Sequence, residues 1–148
     1  MGFSVSASAG VVFLGVFLAV GIAYPAAANG FEQVTDARHD AADRALAQAN
    51  TGVDVTNATY NTTTGTLVVN ATNDGTTTVD VSDATLLVDN EIPAPADTTV
   101  TVEGNADTDV WLPGERVRFE VDLASAPNRT QVVVDHGVRD AVDVDEVA

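Results

Sequence analysis

The 148-residue chain has no cysteine and no lysine, and it carries a single tryptophan and a single methionine. Without cysteine there are no disulfides, no thiolate metal sites and no thiol nucleophile, so ordinary packing must supply the stability. Without lysine, and with six arginines against 22 acidic residues, the chain lacks the basic footprint of a nucleic-acid binder. Charged side chains are missing altogether from the first 31 residues, because Glu32 is the first Asp, Glu, Lys or Arg in the sequence.

What remains divides the chain in two. Phe3 to Ala28 is an apolar stretch rich in Val, Phe, Leu, Ala and Gly. About 20 such residues are enough to cross the hydrocarbon core of a bilayer as a helix. A cleavable signal peptide would need a positive leading region, which is absent, although Ala26 and Ala28 form an A-x-A pattern. A retained anchor is therefore expected. Gly15, Ala19, Ala23 and Ala27 recur at four-residue spacing, which places small side chains on one helix face, the pattern of a helix–helix packing seam. The same residues are also common in membrane helices at large.

Pro25 is expected to bend the helix near the end of its apolar run. Beyond it, Phe31 to Asn50 is full of helix formers, and Phe31, Val34, Ala41, Ala45 and Ala49 recur at helical spacing between charges. One helix from Ser4 to Ala49 would measure about 70 Å at 1.5 Å per residue. Asn50-Thr51-Gly52 reads as its stop.

From Gly52 the period falls from helical to alternating. Strands are expected at Val53–Val55 and Leu67–Val69 around an Asn61–Gly65 turn, then at Thr78–Val81, Thr85–Val88, Thr99–Val102 and Asp109–Leu112. Val117, Phe119, Val121 and Leu123 alternate with Arg116, Arg118, Glu120 and Asp122, the clearest strand pattern in the chain. Thr130–Val134 and Val138–Val142 complete the series. Asn73-Asp74-Gly75 predicts a type I′ hairpin turn, and Pro113-Gly114 a further turn. Seven or eight short strands argue for an immunoglobulin-like β-sandwich with Trp111 in its core. The domain expectation is a transmembrane helix over 1–30, an amphipathic helical stalk over 31–50 and an extracytoplasmic sandwich over 51–148.

The net charge of −16 is spread through the body rather than gathered in a tail. Scattered Asp with no Lys fits a surface adapted to molar salt, where the Debye length shrinks to about 3 Å and carboxylate repulsion is screened. His39 and His136 lie in different segments, and no nucleophile elbow, phosphate loop or zinc motif occurs. Asn105, Asp107 and Asp109 open like a calcium loop, but Val110 stands where glycine is required. No catalytic residue, cofactor or metal site is assigned. Asn57, Asn61, Asn70 and Asn128 head N-x-S/T sequons, candidate N-glycosylation sites of an external domain.

The opening MGFSVSASAGVVFLGVFLAVGIAYPAAANGFEQVTDAR resembles the N-terminus of haloarchaeal FlaF proteins of the archaellum, the archaeal swimming filament. TLVVNATNDGTTTVDVSDATLLVDN and WLPGE are similar to later segments of that family. FlaG, a related membrane-anchored sandwich, is the nearest confusable neighbour. The resemblance implies a non-enzymatic stator protein, held in the cytoplasmic membrane and thereby in contact with lipid. Its sandwich would lie outside the cell, bind S-layer protein, work with a FlaG-like subunit and form a homodimer. Docking two acidic proteins would need charge screening, a bridging cation or strand addition at an exposed sheet edge. A pilin-like filament subunit and a secreted binding module are the alternative readings.

Overall fold

The computed structural model describes residues 3–148, with side chains from residue 7 onward. Helix α1 runs unbroken from Phe3 to Asn50, with Pro25 inside it. It contains one segment long and apolar enough to cross a membrane, within Ala7–Asn50, at a mean hydropathy of 2.2. Among its described residues the large apolar side chains, Phe13, Leu14, Phe17 and Ile22 included, are all exposed. Such a surface is costly in water and at home in lipid.

The chain divides into two compact units, with the boundary between Asp43 and Arg44. The second unit thus takes in the last turns of α1 together with ten strands: β1 (Asp54–Asn61), β2 (Thr66–Thr72), β3 (Val79–Asp80), β4 (Thr85–Val88), β5 (Thr98–Val102), β6 (Val110–Trp111), β7 (Arg116–Asp122), β8 (Arg129–Val133), β9 (Arg139–Asp143) and β10 (Asp145–Val147). One sheet has the order β10-β1-β2-β7-β5, a second β4-β8-β9, and β3 pairs with β6. Only the β1–β10 pairing is parallel among the described strands.

Alternation decides which face each sheet buries. On β7, Val117, Phe119 and Val121 are buried, and their cross-strand partners Ala71, Val69 and Leu67 on β2 are fully buried. From the three-stranded sheet come Leu86, Val88 and Val132, with Val134 just after β8, so one core lies between the two larger sheets. Trp111, fully buried, joins it as the sequence predicts. Full burial of side chains of this size contributes about 1.5–3 kcal/mol each.

The chain is thus a long N-terminal apolar helix followed by an immunoglobulin-like β-sandwich. One turn differs from expectation. Asn73-Asp74-Gly75 does not close a hairpin: β2 pairs with β1 and β7, and β3 pairs with β6. Gly75 is not among the positive-φ glycines. Asn73 is instead fully buried, its amide donating to the carbonyls of Thr77 (2.9 Å) and Trp111 (3.1 Å). The two-residue type I′ geometry appears at Asp89-Asn90 and Glu103-Gly104, where both central residues have positive φ. These turns have a second effect, because β4 and β5 are edge strands. Val88 exchanges both backbone hydrogen bonds with Glu91, and Val102 does the same with Asn105. The last residue of each of these two strands is therefore paired with its own returning chain, which blunts that end of the edge against strand addition.

Candidate functional site

In a chain with a membrane-type helix and a sandwich, the candidate functional geometry is where the last helical turns meet the β-domain, and on the outer sheet faces. The joint is built inside the second unit. A helix leaves its last four carbonyls without helical partners. Here the carbonyl of Asn50 accepts from the backbone N–H groups of Thr76 (2.8 Å) and Thr77 (3.2 Å). The Thr51 hydroxyl donates to the Ala47 carbonyl at 2.9 Å and is nearly buried. Gln48 Nε2 donates, at a long 3.5 Å, to the carbonyl of His136.

Gly52 and Gly75 make this approach sterically possible. A Cβ on Gly75 would sit 2.5 Å from the Gly52 nitrogen and 2.6 Å from the Asn50 oxygen. One on Gly52 would sit 2.8 Å from the Gly75 nitrogen. Behind the joint, the Asn73 side chain accepts from Gly75 N–H at 3.1 Å, and Trp111 Nε1 donates to the Glu115 carbonyl at 2.8 Å. The helix end is thereby fastened through backbone contacts to the loop that leads into the core. The sequence reading placed a helix stop here but missed the contact with Gly75. Two glycines at unrelated points in the chain carry no joint signal.

The four small residues Gly15, Ala19, Ala23 and Ala27 lie exposed along one side of α1, and a Cβ on Gly15 would meet nothing within 4 Å. The sequon asparagines fall in two places. Asn57 and Asn70 are opposite each other on β1 and β2, with Asn70 Nδ2 donating to Asn57 Oδ1 at 2.7 Å. Asn61 ends β1 and accepts from the N–H groups of Thr63 and Thr64, ordering the following turn. These three lie on the outer face of the five-stranded sheet. Asn128 is exposed just before β8, its N–H donating to the Asp89 carboxylate.

Of the histidines, His39 is exposed on α1 and His136 occupies a left-handed position (φ 58°) in the turn between β8 and β9. In the loop that resembles the start of a calcium site, Asn105 Oδ1 accepts from Asp107 N–H. Among the described residues, no three His, Cys, Asp or Glu side chains converge as a metal-holding group.

A model of archaeal-type flagellins matches residues 2–144. The chain belongs to the archaeal-type flagellin family. This agrees with the archaellum resemblance carried by its opening and later segments. No match is found among curated proteins. Among solved structures, this chain is similar to the archaellum periplasmic stator protein FlaG from Sulfolobus acidocaldarius. Identity is 20%, 62% of this chain and 97% of that chain are covered, and the TM-score is 0.44. It is also similar to the stator complex of FlaF and FlaG from the same organism, at 20% identity, 61% and 85% coverage and a TM-score of 0.43.

Proposed function

We propose that this member of the archaeal-type flagellin family is a structural, non-enzymatic stator component of the archaellum. It anchors the motor between the cytoplasmic membrane and the S-layer. The observation that carries the reading is the joint. A helix long and apolar enough to serve as anchor ends in backbone hydrogen bonds from Thr76 and Thr77 and in the Gly52–Gly75 contact. A static motor part must resist torque, and a helix end fastened by backbone to the β-domain resists swivelling better than a flexible linker would.

In this proposal residues 1–30 cross the membrane in contact with lipid, 31–50 form the stalk, and 51–148 form the external sandwich that binds S-layer protein. Gly15, Ala19, Ala23 and Ala27 pack against a second copy in a homodimer or against a FlaG-like subunit. Asn57, Asn61, Asn70 and Asn128 are the glycan acceptors. The scattered carboxylates suit the surface to high salt, where they stay hydrated while their repulsion is screened. A clean deletion strain tests the role. Cells lacking the chain should stop swimming while still expressing filament subunits, and normal swimming would sink the proposal.

A second reading has its own support, since the family model describes archaeal-type flagellins. Under it the chain is a filament subunit. Purified filaments decide between the two: the stator reading requires the chain to stay with membranes and to be absent from sheared filaments.

A further inference from the structure

The sequons differ in where their third residue lies, and the motif requires a hydroxyl there. Thr63, the third residue of the Asn61 sequon, is exposed in the turn between β1 and β2. Thr130, the third residue of the Asn128 sequon, is only 1% exposed. It sits on the middle strand of the β4-β8-β9 sheet, opposite Val88 and Val142, both of which belong to or pack against the core. Among the described residues, its hydroxyl is the one buried side-chain polar atom without a hydrogen-bond partner.

The rest of this sequon is held as firmly. The N–H groups of Asn128 and Arg129 donate to the Asp89 carboxylate at 3.1 and 3.0 Å. The carbonyls of Arg129 and Asn128 accept from the N–H groups of Asp89 and Val144 at 2.9 and 3.0 Å. The Asn128 side chain is exposed, yet the three residues of its motif reach an enzyme's cleft only if the middle strand is unzipped. A buried hydroxyl without a partner opposes folding, and valine offers nearly the same shape without that cost. Packing alone thus gives no reason for threonine at position 130, whereas the motif headed by Asn128 does.

We propose that Asn128 receives its glycan before the sandwich folds, the Thr130 hydroxyl being read by the transferring enzyme on the still-extended chain. The donor is an activated glycosyl phosphate. Asn128 Nδ2 bonds to the anomeric carbon as that carbon's bond to the phosphate oxygen breaks, and one amide proton leaves with the phosphate. Folding then carries Thr130 inward and closes the site, while Asn128 keeps its side chain and the sugar outside. Asn61, in its exposed turn, is under no such restriction. This inference rests on the reading of the sequons as glycan acceptors and adds an order to it.

The full-length chain tests the order in two ways. Glycopeptide mass spectrometry of chain from native cells reads occupancy, which Thr130→Val should lower at least tenfold at Asn128 and leave unchanged at Asn61, with Thr130→Ser retaining it. Unglycosylated chain from a bacterial host is then given to detergent-opened native membranes, which hold transferase and donor, either folded or freshly diluted from urea. Asn128 should gain at least tenfold more glycan from the diluted chain than from the folded one. The same unglycosylated chain in detergent should melt about 4–8 °C higher as Thr130→Val than as wild type, since the hydroxyl serves no bond in the fold. Equal transfer to folded Asn128, or a Thr130→Val chain that melts below wild type, overturns the proposal. Glycan at Asn61 but never at Asn128 in cells keeps the acceptor reading and refutes the order. Glycan at no sequon refutes both.

Discussion

Gly52 and Gly75 meet backbone to backbone, and a Cβ placed on Gly75 would come within 2.5 Å of the Gly52 nitrogen. Neither atom is the tip of a flexible side chain, so no rotamer change relieves the overlap. Gly75→Ala should therefore cost about 2–3 kcal/mol, in the range of overpacked sites. For a β-domain of this size that lowers Tm by about 10–20 °C. Gly114→Ala is the comparison. A Cβ there meets nothing within 4 Å, and only its φ of +83° opposes the change, a cost of about 1–2 kcal/mol. Thermal melts in which the two variants match, or in which Gly75→Ala is silent, would show that the joint yields.

The same joint fixes where the β-domain begins. Because the Asn50 carbonyl takes the N–H groups of Thr76 and Thr77, and Thr51 is nearly buried, the last helical turns belong to the sandwich's fold. A fragment starting at Arg44 should be more stable than one starting at Val53 by about 1–3 kcal/mol, reflecting the hydrogen bonds and burial lost. Urea unfolding of the two fragments checks this, and equal midpoints would mean that the helix end is a passive tether.

Asn73 shows how a local signal can be read correctly as polar and wrongly as a turn. Its amide donates to the Thr77 and Trp111 carbonyls and its oxygen accepts from Gly75 N–H, all at a fully buried position. Asn73→Ala leaves those three groups without that partner, at about 1–3 kcal/mol for each one that stays dry. That approaches the whole stability of a marginal domain. Trp111 is the natural reporter, and its fluorescence should shift to the red in the variant at denaturant concentrations where the wild type is still folded.

These residues also mark what the sequence could disclose. The strands were legible because half-buried strands alternate, as Val117, Phe119 and Val121 do against Arg116, Arg118 and Glu120. The helix was legible from its apolar run and its formers. The role of Asn73-Asp74-Gly75 was not, because Asn73's partner Trp111 lies 38 residues away and no local rule encodes that contact. The Asp89-Asn90 and Glu103-Gly104 turns were hidden for a different reason: they are weaker dipeptide signals than Asp-Gly. β10 was missed because its three exposed residues, Asp145, Glu146 and Val147, present no alternating pattern to detect.

The capped edge of β5 yields a last prediction. Val102 gives both backbone groups to Asn105 because Glu103 and Gly104 turn the chain back with φ of 48° and 84°. A β-branched residue does not tolerate that conformation. Gly104→Val should open the turn and release the Val102 N–H and C=O on a sheet edge, the arrangement that invites pairing with another chain. The variant of the Arg44–Ala148 fragment should then associate as its concentration rises, seen by analytical ultracentrifugation, while the wild-type fragment keeps a concentration-independent sedimentation profile. Gly104→Val that sediments like wild type at every concentration would mean the turn does not guard the edge.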